Sequence, residues 1–460
     1  MPVQTFQFAS EISRPAAEVF RWHERPGALE RLTPPWEQVR VVRTGDGVTD
    51  GQRVVLSQKV GPFWRDWEVE HRGYVAGKEF RDVAVRGPFA SWEHRHRVVA
   101  DGSASCSLID EISYRLPGGA LGTAVAGAWT RRKLERLFAF RHARIQEDLR
   151  LNNRYGAVRP MRFLISGASG LVGRELSAFL RSQGHEIVTL VRRAPAHANE
   201  VFWNPSKGEL DPHALKAIDV VIHLAGANIA GARWSQGQRE AIWDSRINGT
   251  RTLVVALEQM RHRPFAVVAA SAIGFYGNRA DEELDETSPR GGGFLADVCE
   301  AWEHEIAVVE ELGIRPVMLR TGMVLSPQGG ALGRLLPLFR AGLGGRLGTG
   351  RQWVSWISID DLVGAYYHAV LDQRCQGPVN AVSAEPVRQV EFAQTLGRVL
   401  GRPSVVPAPA FALRASLGEM ANELLLASSK VAPARLGEVN YRFRHEHLED
   451  ALRFLLGRMT

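Results

Sequence analysis

The stretch ISGASGLVG, residues 165–173, ends the apolar run RFLIS and begins the amphipathic run LVGRELSAFLRSQG. Gly167, Gly170 and Gly173 sit where a strand turns tightly into a helix. Glycines at that spacing let the backbone approach an anion closely, and the free N–H groups of the helix start supply positive charge. With Ser169, Leu171 and Val172 they predict a pyrophosphate cradle, and a cradle of this type sits at the edge of a parallel sheet. Such a strand normally opens its domain, yet 160 residues precede it here.

Behind the cradle, apolar runs alternate with helical ones: RFLISGA, HEIVTLVRR, DVVIHLAGA, FAVVAASAIGFYG and IRPVMLRTGMVL. That alternation predicts a doubly wound parallel sheet with helices on both faces. From about Asp372 shorter elements predict a small C-terminal α/β cap over residues 372–460. The first 150 residues read differently. VQTFQFASEI alternates as a half-buried strand does, Ser13 is placed to cap a following helix, and six further strand-like runs end at ASCSLIDEISYRL. Residues 120–151 then carry helical periodicity, with Leu134, Leu137, Phe138 and Ile145 on one side. A curved sheet closed by one long helix is expected: an α+β helix-grip domain, with Trp22, Trp36, Trp64, Trp67 and Trp92 either lining an apolar-ligand cavity or filling the core. The polar stretch LNNRYGAVRP, 151–160, is read as the linker, and the nucleotide domain as 161–371.

Charge and cysteine content exclude several classes. The formal charge of +7 comes mostly from scattered arginines, and its densest run, TRRKLERLFAFRHAR, reads as a solvated helix face, so nucleic acid is not an expected partner. Three well-separated cysteines show no metal-binding or disulfide spacing, which fits a reducing compartment. Neither a secretory leader nor a run of about 18 apolar residues is visible, so no membrane span is expected and the location is read as cytoplasmic. The oligomeric state is left open.

An NAD site would carry an acid at the end of the second strand, about 20 residues beyond the glycines, to hold the ribose hydroxyls. TLVRRAP ends there in Arg192 and Arg193, and guanidinium suits a phosphate, so NADP(H) is the expected cofactor unless both arginines simply face water. Leu224, Ala225 and Gly226, at the end of DVVIHLAG, would let it lie across the sheet edge.

Together these residues resemble the extended short-chain dehydrogenase/reductase superfamily, the epimerase/dehydratase group, over roughly 161–370. RWSQGQREAIWDSRINGT, GLGGRLGTGRQWVSWISIDDL and RASLGEMANELLL resemble an atypical branch of it that carries its own C-terminal domain of unknown function. The front, through WEHRHRV and DEISYRLP, resembles the START-like (SRPBCC) helix-grip superfamily, implying a fused ligand-binding domain.

The resemblance implies chemistry by Ser/Thr, Tyr and Lys, with lysine lowering the tyrosine pKa. Ser271 matches the serine, but FLADVCEAWEHE puts Leu295 and Cys299 where tyrosine and lysine belong. No lysine occurs between Lys216 and Lys430, so no shift of alignment restores the pair. Tyr276 is the remaining candidate proton donor beside Ser271. Glu303 or Asp297 as a base and Cys299 as a nucleophile are weaker candidates. His94 and His96 share a strand face but show no third metal ligand, so no metal is expected. Asp360 and Asp361 begin a helix, where capping explains at least one. The expected function is an NADP(H)-binding epimerase or oxidoreductase-like protein acting on a small molecule. Its rival is a catalytically silent NADP(H)-binding module coupled to a ligand or partner.

Overall fold

Strict alternation of inward and outward side chains over the first 115 residues produces seven antiparallel strands. In the computed structural model, which describes residues 3–45, 47–60, 62–156 and 158–459, these are β1 (Gln4–Ile12), β2 (Val39–Arg43), β3 (Arg53–Val60), β4 (Phe63–Val75), β5 (Glu79–Arg86), β6 (Ser91–Ala100) and β7 (Cys106–Arg115). They form one sheet in the order β1-β7-β6-β5-β4-β3-β2. Helices α1 (Ala16–Glu24) and α2 (Ala28–Leu32) connect β1 to β2, and α3 (Gly119–Asn153) follows the sheet. Ser13 does not cap α1. Pro15 takes that position, its carbonyl accepting from the Glu18 and Val19 amides, and no side chain caps the helix. Of the linker expected at 151–160, the first three residues continue α3, and Ala157 lies outside the described residues.

By contact the chain divides into two compact units. One holds Met1–Arg159 with Ala178–Gly184 and Phe454–Thr460, the other Pro160–Ser177 and His185–Arg453. Among the described residues, the first has an apolar cluster around Phe20, Trp22, Phe80 and Ile145 and another around Phe6, Trp92, Leu134 and Phe138. Between them the inward face of β6 reads Trp92, His94, His96, Val98, so imidazoles stand where alternation calls for apolar groups. Phe80 stacks on His96 at 4.3 Å between ring centres and Phe138 meets His94 edge-on at 5.2 Å, so each cluster contributes a ring to this polar layer. The five tryptophans go to different places: Trp22 and Trp92 to separate clusters, Trp67 against Trp92, Trp36 against Phe140, and Trp64 to the exposed side under Arg40.

The second unit is built on β8 (Arg162–Ser166), β9 (Glu186–Val191), β10 (Glu200–Asn204), β11 (Glu209–Leu210), β12 (Val220–His223) and β13 (Ala266–Ala272). The short β14 (Glu283–Leu284) precedes β15 (Arg315–Thr321). Then β16 (Met323–Leu325), β17 (Trp353–Val354) and β18 (Trp356–Ser358) precede β19 (Gly377–Ala381). The main sheet runs β11-β10-β9-β8-β12-β13-β15-β19, parallel except for β11. Its helices are α4 (Leu171–Ser182, whose residues from Ala178 on are counted with the first unit), α5 (Gln236–Glu258), α6 (Phe294–Ala307), α7 (Gly330–Arg340) and α8 (Ile359–Leu371). Phe163, Leu164 and Ile165, Val220–Ile222 and Ala266–Ala269 are buried throughout, as strands covered on both faces must be. DVVIH is the fifth strand of this unit in chain order, because β10 and β11, short and polar at their ends, intervene. Strand order reverses between β8 and β12, and ligands of doubly wound sheets bind outside the carboxyl ends of the strands at that point. No helix among the described residues is long and apolar enough to cross a membrane.

Candidate functional site at the carboxyl edge of the parallel sheet

At the reversal point the sequence leaves no room for side chains. Gly167 has φ +73°, and a methyl group there would come within 2.9 Å of the Ala225 amide nitrogen and the Leu224 carbonyl carbon. Gly173, in the first turn of α4, would press a methyl group to 2.3 Å from the Gly167 carbonyl oxygen. Gly170 is exposed, and a methyl group there meets that same oxygen at 3.2 Å. Two glycines thus pack turn, strand and helix together, while the third keeps the outer side of the turn bare. Ser169 is exposed beside it, and Leu171 and Val172 are half-buried as α4 begins. The first amides of a helix have no partners of their own, so this turn presents donors and positive dipole to an anion.

Behind the turn, the register pairs Ser166 with His223. The Ser166 hydroxyl lies 2.7 Å from His223 Nδ1 and accepts from the Leu224 and Ala225 amides at 3.1 and 3.2 Å. His223 Nε2 lies 3.2 Å from the Thr250 hydroxyl, to which Trp302 also donates. Burial, helped by the charge of Arg246, pushes the His223 pKa down to about 4, so the ring is neutral and its role is to pin two strand ends. Gly226 faces the Arg246 guanidinium, where a methyl group would lie 3.1 Å from its central carbon.

Arg192 and Arg193, past the end of β9, have separate fates. Arg193 grips Glu200 with two bonds of 2.8 and 2.6 Å. That grip, with the Ala196 amide at 2.7 Å, holds the Glu200 carboxyl down at about 2. Arg192 is exposed and has no hydrogen-bond or ion-pair partner among the described residues. An acid does stand near this strand edge, supplied by β10, but its charge is already matched.

Ser271, at the end of β13, is buried and donates to Glu303 at 2.6 Å. Arg320 binds both Glu303 oxygens, at 2.9 and 2.7 Å, and donates to the Tyr276 hydroxyl at 3.0 Å. The Tyr276 hydroxyl donates to the Asn380 side-chain oxygen at 2.7 Å, and the Asn380 backbone amide donates to Glu286. Tyr276 has no exposed surface, and burial raises its pKa despite the neighbouring Arg320. The two residues expected to share chemistry are therefore joined, but through a buried guanidinium–carboxylate pair. Glu303, a weaker candidate base from sequence, is 7% exposed and engaged by Ser271 and Arg320. Cys299, likewise buried, has its thiol pushed up to about 12 by desolvation, which removes it as a nucleophile.

At the start of α6, Leu295 is buried and its amide, with that of Phe294, donates to Glu423 at 2.8 and 3.0 Å. A carboxylate far along the chain thus caps the helix where the expected tyrosine would stand. Asp297 pairs on the surface with Arg290. Ser358 caps α8, and Asp361 accepts from the Ser358 hydroxyl at 2.6 Å and from the backbone amides of Arg444 and His445.

Comparison with known proteins shows what frame carries this site. The NAD dependent epimerase/dehydratase family profile matches residues 163–381, and a domain of unknown function (DUF1731) matches 408–455. An epimerase family protein of Mycobacterium bovis is 43% identical over 288 residues, covering 63% of this chain and 95% of its own length. The chain belongs to the NAD dependent epimerase/dehydratase family.

Within that family the nucleoside-diphosphate sugar epimerase from Corynebacterium glutamicum superposes with a TM-score of 0.81 at 33% identity, over 98% of this chain and 90% of that one. This corrects the reading of a separate START-like (SRPBCC) domain at the front. The leading residues belong to one architecture, shared from end to end with an epimerase-fold relative. The alternating strands and long helix that prompted the START-like reading are real, but such a pattern specifies a layer arrangement and not an ancestry. The human epimerase family protein SDR39U1, solved with NADPH, matches at a TM-score of 0.60 and 30% identity, over 65% of this chain and all of that one.

Proposed function

We propose that this epimerase-family chain binds NADP(H) across the carboxyl edge of its parallel sheet and presents it to a small-molecule substrate. Gly167, Ser169, Gly170, Leu171, Val172 and Gly173 cradle the pyrophosphate, and Leu224, Ala225 and Gly226 line the path towards the nicotinamide. Arg192 receives the 2′-phosphate, and Arg193 assists by neutralising Glu200. The single observation that carries this reading is the pair of fates just described: an exposed, unpartnered guanidinium beside an acid already matched by its neighbour. The human relative solved with NADPH supports it. When bound, the nicotinamide supplies hydride exchange. The residues of the chain bind and orient it, and Ser271 and Tyr276 shape the wall beneath the substrate through Glu303 and Arg320.

The burial of Tyr276 and the absence of a lysine favour a second reading, an NADP(H)-binding module with little turnover of its own. We also read 1–150 as an α+β sheet-and-helix domain, 161–371 as the nucleotide domain and 372–460 as its cap. Glu423 on α6 and the Arg444 and His445 amides on Asp361 support that last part. The three cysteines, all buried free thiols, support a cytoplasmic location.

Calorimetry tests the cofactor assignment. The wild type binds NADPH more tightly than NADH, and Arg192→Asp weakens NADPH roughly 10- to 100-fold while leaving NADH little changed, the range expected for a hydrogen bond to a charged group. Equal affinities of the wild type for the two nucleotides overturn it.

A further inference from the structure

Strand register in the first unit brings together residues that lie far apart in the sequence. Asp82 on β5 pairs with His94 on β6, and His96 on β6 pairs with Asp110 on β7. All four side chains occupy the inner side of the sheet, in the polar layer between the two apolar clusters. His94 Nε2 and His96 Nδ1 both reach the same oxygen of Asp110, at 2.7 and 2.8 Å. The other Asp110 oxygen is held by His142 of α3 at 2.6 Å. Asp110 is an acceptor, so the ring nitrogens facing it carry the protons. The opposite nitrogens, His94 Nδ1 and His96 Nε2, face Asp82 Oδ2 at 3.9 and 3.3 Å; the second is a hydrogen bond to an acceptor, so His96 holds a proton there that an incoming ion must displace.

We propose that His94, His96 and Asp82 form a binding site for one divalent transition-metal ion in the first unit. The ligand atoms all lie within 4.8 Å of one another. A tetrahedron built on bonds of about 2.1 Å, typical of imidazole and carboxylate on zinc, has edges of about 3.4 Å, so the observed separations bracket a coordination sphere. The outer contacts also fit. Metal-bound histidines almost always donate their second ring nitrogen to a carboxylate, a backbone carbonyl or water, and here one carboxylate receives both. Asp82 is oriented in turn by His71, whose Nδ1 lies 2.7 Å from its other oxygen. The Asp82 side chain is 21% exposed while both histidines are buried, and three protein ligands leave the fourth position of a tetrahedron unfilled by the chain. Two imidazoles and a carboxylate suit zinc, cobalt or ferrous iron and not magnesium or calcium, which take oxygen ligands. The sequence displayed His94 and His96 without a third ligand. Register supplies one, and on that point the proposal departs from the expectation of no metal.

The test uses the full chain, stripped with a chelator and titrated with Co2+ under dialysis, then with Zn2+ in competition. One equivalent of Co2+ per chain, with visible absorption of a low-coordinate site that Zn2+ abolishes and Mg2+ does not, is the expected result. Asp82→Asn, at a partly exposed position, weakens Co2+ binding at least about tenfold, and Asp110→Asn weakens it about 10- to 100-fold, as outer carboxylates do. Circular dichroism and NADPH affinity report that each variant is folded, and NADPH affinity does not follow metal content. A folded wild type that takes up well below one equivalent of both metals overturns the proposal. Equal Co2+ affinity in wild type and Asp82→Asn does the same.

Discussion

A methyl group at Gly173 would lie 2.3 Å from the Gly167 carbonyl oxygen, and one at Gly170 would lie 3.2 Å from it. Backbone on both sides of the first contact cannot give way. Gly173→Ala therefore lowers the melting temperature of the second unit, whereas Gly170→Val melts near the wild type but loses NADPH binding by calorimetry. A folded Gly170→Val that binds NADPH normally would show that the cradle has been misplaced. Tyr276→Phe makes the complementary case. It strips a partner from Arg320 and Asn380 inside the unit, costing about 1–3 kcal/mol by urea unfolding, with NADPH affinity unchanged. The three glycines were legible because their requirement is local, set by the strand before them and the helix after. Tyr276 was not. Its partners Arg320 and Asn380 lie 44 and 104 residues away, and nothing adjacent marks it as buried.

Helix α8 shows how an element start becomes a joint between distant segments. Ser358 caps it as short polar residues do, and Asp361, three residues on, accepts from the Ser358 hydroxyl and from two amides near residue 445. Burial lifts the Asp361 pKa to about 6, above its value in an unfolded chain, near 3.9. The folded form thus binds the proton more tightly, and this group's stabilising contribution is complete below pH ~4 and is lost as pH rises to about 6. Asp361→Asn removes that dependence. Denaturation midpoints of variant and wild type, measured from pH 4 to 7, should move in the variant's favour up to about pH 6 and run parallel above it. A constant difference across the range would mean that Asp361 ionises normally. Capping was foreseen for the Asp360–Asp361 pair, but the cap is Ser358, and Asp361 is spent on a later segment. Strand β10 escaped sequence reading for a similar reason: EVFWN is short, and its place beside β9 is set by pairing rather than by its own apolar pattern.

Across the whole molecule, the frame of an epimerase-family protein is kept in a chain with no lysine between Lys216 and Lys430, where the resemblance implies one for acid–base chemistry. Acid–base assistance of that kind contributes roughly 10²–10⁴ in rate, so turnover of nucleoside-diphosphate sugars, followed by NADPH absorbance and product chromatography, is expected to be very slow or undetectable. Robust turnover that survives Tyr276→Phe would require another proton carrier. The parallel sheet and the tight turn from β8 into α4 were legible from alternation and glycine spacing. The standing of the first 150 residues was not, because alternation reports a sheet and is silent on whether a relative shares it. Nor could periodicity show that Ala178–Gly184 and Phe454–Thr460 are counted with those residues in one unit. There Phe454 lies 5.1 Å from Phe140, and Gly457 packs so tightly on Trp36 that a methyl group would come within 2.5 Å of the indole. A chain emerging from the ribosome meets these partners at opposite ends of synthesis. The unit made first waits, with Trp36 and Phe140 lacking these partners, for residues translated more than 300 positions later. Any stall or cleavage before Phe454 leaves the earliest-built part of the protein, and not the latest, unfinished.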